Sequence, residues 1–566
     1  MKKFLIAASF LSFFGTVTAQ TVDPMHDNDL KTWYHKDFSA SNVYGVNTAN
    51  AYKFLESKGL KPTSVVVGVL DSGVEVNHPG LAKNMWRNPN EIPNNGKDDD
   101  KNGYIDDIHG WNFIGGKNGD VNVDNMEVTR IVKRYQSVFE GPNTNTNKAN
   151  QAKMPEEFAM YMLSKDIYNK KGNEAKMQYE QIGMIKRLVP TMVSMLKGKN
   201  FTAENIAAVK PANQNEAIAA SVMKNMVQDP EMAGKSSADF EKAINKELDN
   251  YLSHFENQAT KQYNLDFDPR AELVGDRYDD YSEKFYGNNN YEGPDAQHGT
   301  HVAGIIAGVP HGNEVQYGVA HKVAKIMTVR TVPDGDERDK DVANSIIYAV
   351  DNGAKIINMS FGKPVSPGKK YVWDAFKYAE NKGVLLVKAA GNDNVDIAEN
   401  VAYPTNYQTA TSEKPLVSNM IVVGASTNDA EMLRASFSNY NTKYVDVFAP
   451  GDKIYSTVPD SKYEYLQGTS MASPVVAGAA AVLLSYMPGL TPAQIIESLV
   501  NTSNKSSVNA MLKTNTNNRF DMISRAGGVI DTRKAAEYAY NNFYKAPAKV
   551  KAPVKSKSTA KKVAKK

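Results

Sequence analysis

Three short runs of this chain carry side chains that together could perform acyl transfer. The first, VVVGVLDSG from Val65 to Gly73, is an apolar run that ends on an acid, Asp71. The second, HGTHVAGIIAG from His298 to Gly308, places a histidine before a stretch of small and apolar residues. The third, GTSMASPVVAGAAA from Gly468 to Ala481, places Ser470 before a run made almost wholly of small residues. A serine hydroxyl is a weak nucleophile until a base takes its proton. A histidine base in turn needs a carboxylate to hold its tautomer and to stabilise the imidazolium. Asp71, His298 and Ser470 supply one of each. Taken singly, each has a plainer reading. Asp71 is a turn former at a strand end, His298 with His301 a pair of metal ligands, and Ser470 a helix N-cap. No acidic or histidine partner with metal spacing follows His301.

These residues need a scaffold. Residues 61–122 and 263–535 contain strand-length apolar runs: Val65–Leu70, Lys325–Val332, Lys355–Met359, Val384–Ala389, Ile421–Ala425 and Val445–Ala449. Several are apolar on consecutive residues, as in parallel strands buried on both faces. Helical stretches such as Asp341–Asn352 and Trp373–Lys382 alternate with them, and Gly353 and Gly383 are their C-cap candidates. Alternation of this kind predicts an α/β layered core with a mainly parallel sheet. Ligand sites in such sheets lie at the carboxyl ends of the strands, where Asp71 falls. Pro474 is expected in the first turn of its helix, where a missing N–H costs nothing.

Residues 126–262 differ. They hold eleven of the 22 methionines and few strand-like runs. Pro155–Tyr168, Glu174–Met195 and Ser237–Thr260 have helical length and amphipathic character, and Ser236 with Asp239 resembles a capping box. This segment reads as a helical insertion.

The three motifs resemble those of the subtilisin-like serine protease family (subtilases, peptidase family S8), in that family's Asp, His, Ser order. The resemblance covers residues 61–122 and 263–535. It implies a three-layer subtilisin-like α/β fold and a serine endopeptidase acting on protein or peptide substrates. It also implies a fourth site residue. Asn392, in the run AAGN from Ala389, resembles the family's oxyanion donor, with the Ser470 backbone N–H as the second donor. The chemistry calls for such donors, because charge develops on the substrate carbonyl oxygen. By the same resemblance, Ser360, Phe361 and Gly362 would pair with an extended substrate and form one pocket wall. Val332 to Gly335 would form the opposing strand, and Ala389, Ala390 and Gly391 the other wall. Lys363 and Lys388 depart from the family pattern here.

The run DDDKNGYIDD from Asp98 carries Asp98, Asp100 and Asn102 at alternate positions, then Gly103, Tyr104 and Asp106. This is the start of an EF-hand-like pattern, although His109 stands where the closing glutamate belongs. Bound Ca²⁺ of structural type is expected, with Asp98, Asp100, Asn102, Tyr104 and Asp106 as ligands. The plainer reading is a solvated acidic turn.

The ends of the chain are basic. Lys2 and Lys3 precede an apolar stretch, and Val17-Thr18-Ala19 offers small residues before a cut, so residues 1–19 read as a signal peptide. Export to the periplasm or the medium follows. The alternative, a membrane anchor, would need about 20 apolar residues. Nine lysines lie in the Lys-rich tail 545–566, read as disordered, either solvated or adhering to an anionic surface. These eleven terminal lysines exceed the net charge of +3, so residues 4–544 are formally at −8. Such a body argues against nucleic-acid binding. There are no cysteines, which excludes disulfides, thiolate metal sites and a cysteine nucleophile. Residues 20–60, with Trp33, Tyr34 and Thr48–Lys58, read as an extension packed on the catalytic core, too short for a folded propeptide domain. The catalytic domain is expected over 61–125 and 263–540, and the insertion over 126–262. Two rival readings stand beside the endopeptidase: a hydrolase confined to short peptides by the insertion, and a binding protein whose functional part is the insertion.

Overall fold

Consecutive apolar residues in an extended chain send side chains to both faces, so such strands need cover on each side. That is the arrangement in the computed structural model, which describes residues 27–544 apart from 230–231, 410 and 513–517. The expected signal peptide 1–19 and the tail 545–566 lie outside the described residues.

A nine-stranded sheet forms the middle layer. Its order is Asn504–Lys505, Gly528–Val529, Val447–Pro450, Met420–Ser426, Leu385–Ala389, Ile356–Met359, Val65–Asp71, Ala324–Arg330 and Gly110–Asn112. All neighbours run parallel except the first pair. Val65, Val67 and Val69 pack into one core with the helices Gln297–Ala307 and Thr469–Tyr486, whereas Leu70 faces a second core built with Asp339–Asp351 and Lys369–Asn381. The result is the three-layer α/β fold. Fully burying each such aliphatic side chain contributes roughly 1.5–3 kcal/mol.

The helix Thr469–Tyr486 is apolar and long enough to cross a membrane by composition, yet 89% of it is buried within the protein. Pro474 is its sixth residue, beyond the first turn. A proline there leaves the Ser470 carbonyl without its helical N–H donor. The Ser360 hydroxyl donates to that carbonyl at 3.0 Å instead, so a strand end and a helix start are tied together beside the candidate nucleophile.

In the N-terminal segment Trp33 and Tyr34 are fully buried; Trp33 Nε1 donates to Lys453 O at 3.1 Å and the Tyr34 hydroxyl to Tyr317 O at 3.0 Å. Between Met126 and Gln262 the chain is helical. Pro155–Leu196 is one 42-residue helix, continuous across the residues between the two expected segments. Ser237–Asn257 packs against it, with Ser236 Oγ accepting from Asp239 N at 3.1 Å. Ile185, Met192, Met223, Met226, Phe240 and Leu248 share a separate apolar cluster. The base of this helical segment meets the sheet through charge. Lys363 is buried, with Nζ 2.8 Å from Glu127 Oε2 and 2.9 Å from Asp339 Oδ1. Asn257 and Gln262 donate to the two Asp334 carboxylate oxygens at 3.1 and 2.8 Å.

Candidate active site

Asp71 closes the strand Val65–Asp71 at its carboxyl end and is buried. His298 is the second residue of the helix Gln297–Ala307. This helix approaches the Asp71 loop closely because residue 299 is glycine; a Cβ there would overlap the Gly73 carbonyl oxygen and stand 3.1 Å from Asp71 Cβ. The approach leaves His298 Nδ1 2.7 Å from Asp71 Oδ1, an oxygen that also accepts from Ser72 N at 2.8 Å. A carboxylate oxygen only accepts, so Nδ1 carries the proton and the Nε2 lone pair is free to take another. The imidazole side chain is 40% exposed. Burial pulls its pKa down, but the Asp71 and Asp295 carboxylates outweigh that and hold it above the ordinary value of 6.5. His301 takes the opposite course. It is fully buried, with Nε2 3.1 Å from Glu464 O, and burial lowers it to about 3. It is a neutral core histidine, and no metal group among the described residues includes it.

Ser470 is the second residue of its helix, and the N-cap is Gly468. Its hydroxyl donates to Ser360 O at 3.1 Å. That single proton is therefore directed at the strand end, and a rotation about the side chain is needed to present it to His298. Asn392 Oδ1 accepts from Thr469 N and Thr469 Oγ1, both at 2.9 Å. These two donors set the amide orientation and leave Nδ2 as the outward donor. Gly468 has φ of +149°, and the point where its Cβ would stand is 3.4 Å from Asn392 Nδ2 and 3.5 Å from Ser470 N. Two N–H donors thus lie close to one point beside Ser470.

Residues 63–526 match the subtilase family. The chain belongs to the subtilase family. That is a family of serine-type endopeptidases, acting on peptide bonds. A thermophilic serine proteinase of Bacillus sp. (strain AK1) is 40% identical over 222 residues, 39% of this chain and 50% of that protein. Thermitase of Thermoactinomyces vulgaris is 41% identical over 213 residues, 37% of this chain and 68% of its own. A solved cold adapted subtilisin-like serine proteinase aligns with 42% of this chain and 77% of its own, at 30% identity and a TM-score of 0.34. The aligned part thus spans half of the first relative's length and about two thirds of the second's.

In this subtilase a cleft of about 420 Å³ opens over Asp71 and His298. Val332, Ser360 and Phe361 line it with Asp334 of the expected Val332–Gly335 strand, together with Asp295, Arg330 and Leu466, which sequence reasoning did not single out. Arg330 has no charged partner within ion-pair distance among the described residues; it holds the loops by donating to Ser72 O at 2.8 Å and Val121 O at 2.6 Å. Gly335 backs onto the Asp124 carbonyl oxygen, which a Cβ would overlap. Ala389 and Ala390 are buried, and Gly391 N donates to Thr469 Oγ1 at 3.0 Å. Gly362 lies against Lys388.

The acidic loop gathers differently from its spacing. Asp98 accepts from Asn102 N at 3.1 Å and Gly103 N at 2.9 Å, and Asp106 from Asn95 N at 3.1 Å and Gly96 N at 2.8 Å. Asn102 Oδ1 accepts from Tyr104 N, and Nδ2 donates to Asp107 Oδ2 at 3.0 Å. The buried Tyr104 ring packs edge-on to Trp111 and Tyr348. The carboxylates that converge are those of Glu91, Asp100 and Asp107, with one oxygen from each within 4.8 Å of the others. Of the five expected ligands only Asp100 belongs to this trio. Glu91 is buried, and its Oε2 has no hydrogen-bond partner.

With His298 as the general base, which works only when neutral, kcat/KM is expected to rise with pH to a midpoint above 6.5 and then level off. A pH profile of peptide hydrolysis checks this, and activity falling between about pH 6 and 8 would contradict it.

Proposed function

We propose that this subtilase is an exported serine endopeptidase in which Ser470 is the nucleophile, His298 the general base and then acid, and Asp71 the orienting carboxylate. Asn392 Nδ2 and Ser470 N stabilise the oxyanion. The 2.7 Å contact between His298 Nδ1 and Asp71 Oδ1 is the observation that carries this reading. Ser470 Oγ leaves the Ser360 carbonyl, gives its proton to His298 Nε2 and attacks the substrate carbonyl carbon. His298 then returns the proton to the leaving amine, and water repeats the sequence on the acyl-enzyme. An extended substrate lies between Val332–Gly335 on one side and Ser360–Gly362 with Ala389–Gly391 on the other, read mainly through its backbone. Fluorophosphonate labelling tests the assignment: the modified peptide should map to Ser470, and a label elsewhere would overturn it.

We read residues 61–125 with 263–540 as the catalytic domain, 126–262 as an insertion and 1–19 as the export signal. A second reading, confinement to short peptides, draws on the bonds from Asn257 and Gln262 to Asp334 in the cleft wall. Casein and a short chromogenic peptide, digested side by side, separate the two.

A structural Ca²⁺ ion fits the acidic loop. Calcium takes oxygen ligands, and three converging carboxylates with an unpartnered buried Glu91 oxygen offer them. Glu91, Asp100 and Asp107 would hold the ion, which would neutralise their mutual repulsion and join the loop to Tyr348 through Asp107, whose Oδ2 accepts from that hydroxyl at 2.6 Å. A ligand held only by the native state at about 100 times its Kd stabilises by about 2.7 kcal/mol. Chelation is therefore expected to lower the Tm of a catalytically silent Ser470→Ala protein, and Glu91→Gln to remove the response to added calcium. A Tm indifferent to both calcium and chelator would make the loop an acidic turn.

A further inference from the structure

The strand that leads to Asn392 carries one charged residue, Lys388, and its side chain is buried. Three lysines are buried among the described residues. Lys340 and Lys363 each have two carboxylates within 3 Å. Lys388 has none within ion-pair distance. Its one side-chain hydrogen bond among the described residues goes to the carbonyl oxygen of the adjacent Ala389, at 2.8 Å. An ammonium has three N–H donors, so two are left without a protein partner in a buried place, which is costly for a charge.

The position of this amine is informative. Nζ is 3.7 Å from where a Cβ of Gly362 would stand, and that same point is 3.0 Å from Tyr403 O. Gly362 follows Ser360, whose carbonyl holds the Ser470 hydroxyl, and Ala389 leads through Gly391 to the oxyanion donor Asn392. The amine therefore lies at the base of the slot between the two chain segments that flank Ser470. Lys388 also lines a cavity of about 90 Å³, together with Ala402, Tyr403 and Pro404. Burial lowers the amine to about 8, and a carboxylate placed beside it would favour its charged form. The acids that act on it from a distance are Glu337 and Asp393. Burial pushes the Glu337 carboxyl up, towards its neutral form. Asp393 is exposed, and its Oδ2 accepts from Asn439 Nδ2 at 3.3 Å.

We infer that Lys388 reads the substrate side chain on the acyl side of the scissile bond (P1) and selects an acidic residue there, glutamate above all. This rests on the proposed catalytic site. A glutamate carboxylate reaching the base of the slot would supply the missing charge-assisted hydrogen bonds. Glutamine would supply a weaker neutral acceptor, and phenylalanine would leave the ammonium stranded. Sites built around a buried polar group reject analogues that leave it unpaired.

The test uses the full chain and fluorogenic peptides identical except for Glu, Gln or Phe at P1. Wild-type kcat/KM should favour Glu over Gln by about tenfold or more, and over Phe by a larger margin. Lys388→Met should bring Glu down to the level of Gln and raise Phe. Equal cleavage of Glu and Gln by the wild type overturns the inference, whether or not the variant folds, and so does an unchanged ratio in a folded Lys388→Met. Fluorophosphonate labelling of the same preparation separates the causes. A flat P1 profile with Ser470 labelled removes only the role of Lys388, whereas failure to label Ser470 removes the catalytic reading and this inference with it.

Discussion

Ser470→Ala is expected to lower kcat by about 10⁶ while leaving the fold in place, a magnitude measured for the triad serine of subtilisin, another subtilase. The fold should survive because the hydroxyl is attached to the surface of the core through a single bond, to Ser360 O. Ser360 Oγ would still donate to the Ser470 carbonyl and share a hydrogen bond with Ser473 Oγ at 2.8 Å. Alanine is also a better helix former than serine. What is lost is the proposed nucleophile. The remaining rate, about 10³–10⁴ over water, would come from the oxyanion donors and from binding. Single-turnover hydrolysis of a short peptide measures this, beside a thermal melt. Activity within tenfold of the wild type would remove Ser470 from the mechanism.

Asp71→Asn is expected to lower kcat by about 10⁴ with little change in KM. Asp71 Oδ1 accepts from both Ser72 N and His298 Nδ1, and Oδ2 is buried with no partner. An asparagine has two ways to fit, and both fail. With its oxygen kept in place, the amide NH₂ falls where no acceptor waits, and no charge remains to stabilise the imidazolium. Turned over, the amide donates to Nδ1, moves the imidazole proton to Nε2 and so removes the base. The carboxylate is also what holds the His298 pKa up against burial. The residual activity should therefore rise at lower pH than in the wild type. A variant within tenfold of wild type, or one with an unmoved pH midpoint, would show that Asp71 does not govern His298.

The parts of this site legible in the chain were those set by short runs. Six apolar runs predicted the six long strands of the sheet within a few residues, because burial on both faces demands unbroken apolar sequence. The strands Gly110–Asn112, Asn504–Lys505 and Gly528–Val529, and the hairpin Ile454–Leu466, were missed. The first three are two or three residues long, too short to show a pattern; in the hairpin the outer strand is largely exposed, and the inner strand Ile454–Val458 is buried but carries the polar Ser456 and Thr457. The expected helices Pro155–Tyr168 and Glu174–Met195 are parts of one helix, Pro155–Leu196, which runs through the intervening Gly172 beside Tyr263.

The acidic loop shows most clearly how spacing can mislead. Alternate acids imply shared ligation, yet Asp98 turns to the backbone N–H groups of Asn102 and Gly103, within five residues, and Asp106 to those of Asn95 and Gly96, eleven and ten positions back across the loop. The trio that converges draws on Glu91, seven residues upstream of Asp98 and set apart from the run.

The sequence alone determined which side chains are present for catalysis and in what order, because a buried strand, a close-packed glycine helix and a small-residue helix each impose a local pattern that can be read. Distances between residues hundreds of positions apart are decided by how those elements pack. Only the tertiary structure set His298 2.7 Å from Asp71, directed Ser470 to Ser360, oriented the Asn392 amide through Thr469, and buried Lys388 without a counter-charge. These depend on side-chain partners brought together across the sheet, and hydrogen bonds and charges act over a few ångströms in space without regard to separation along the chain.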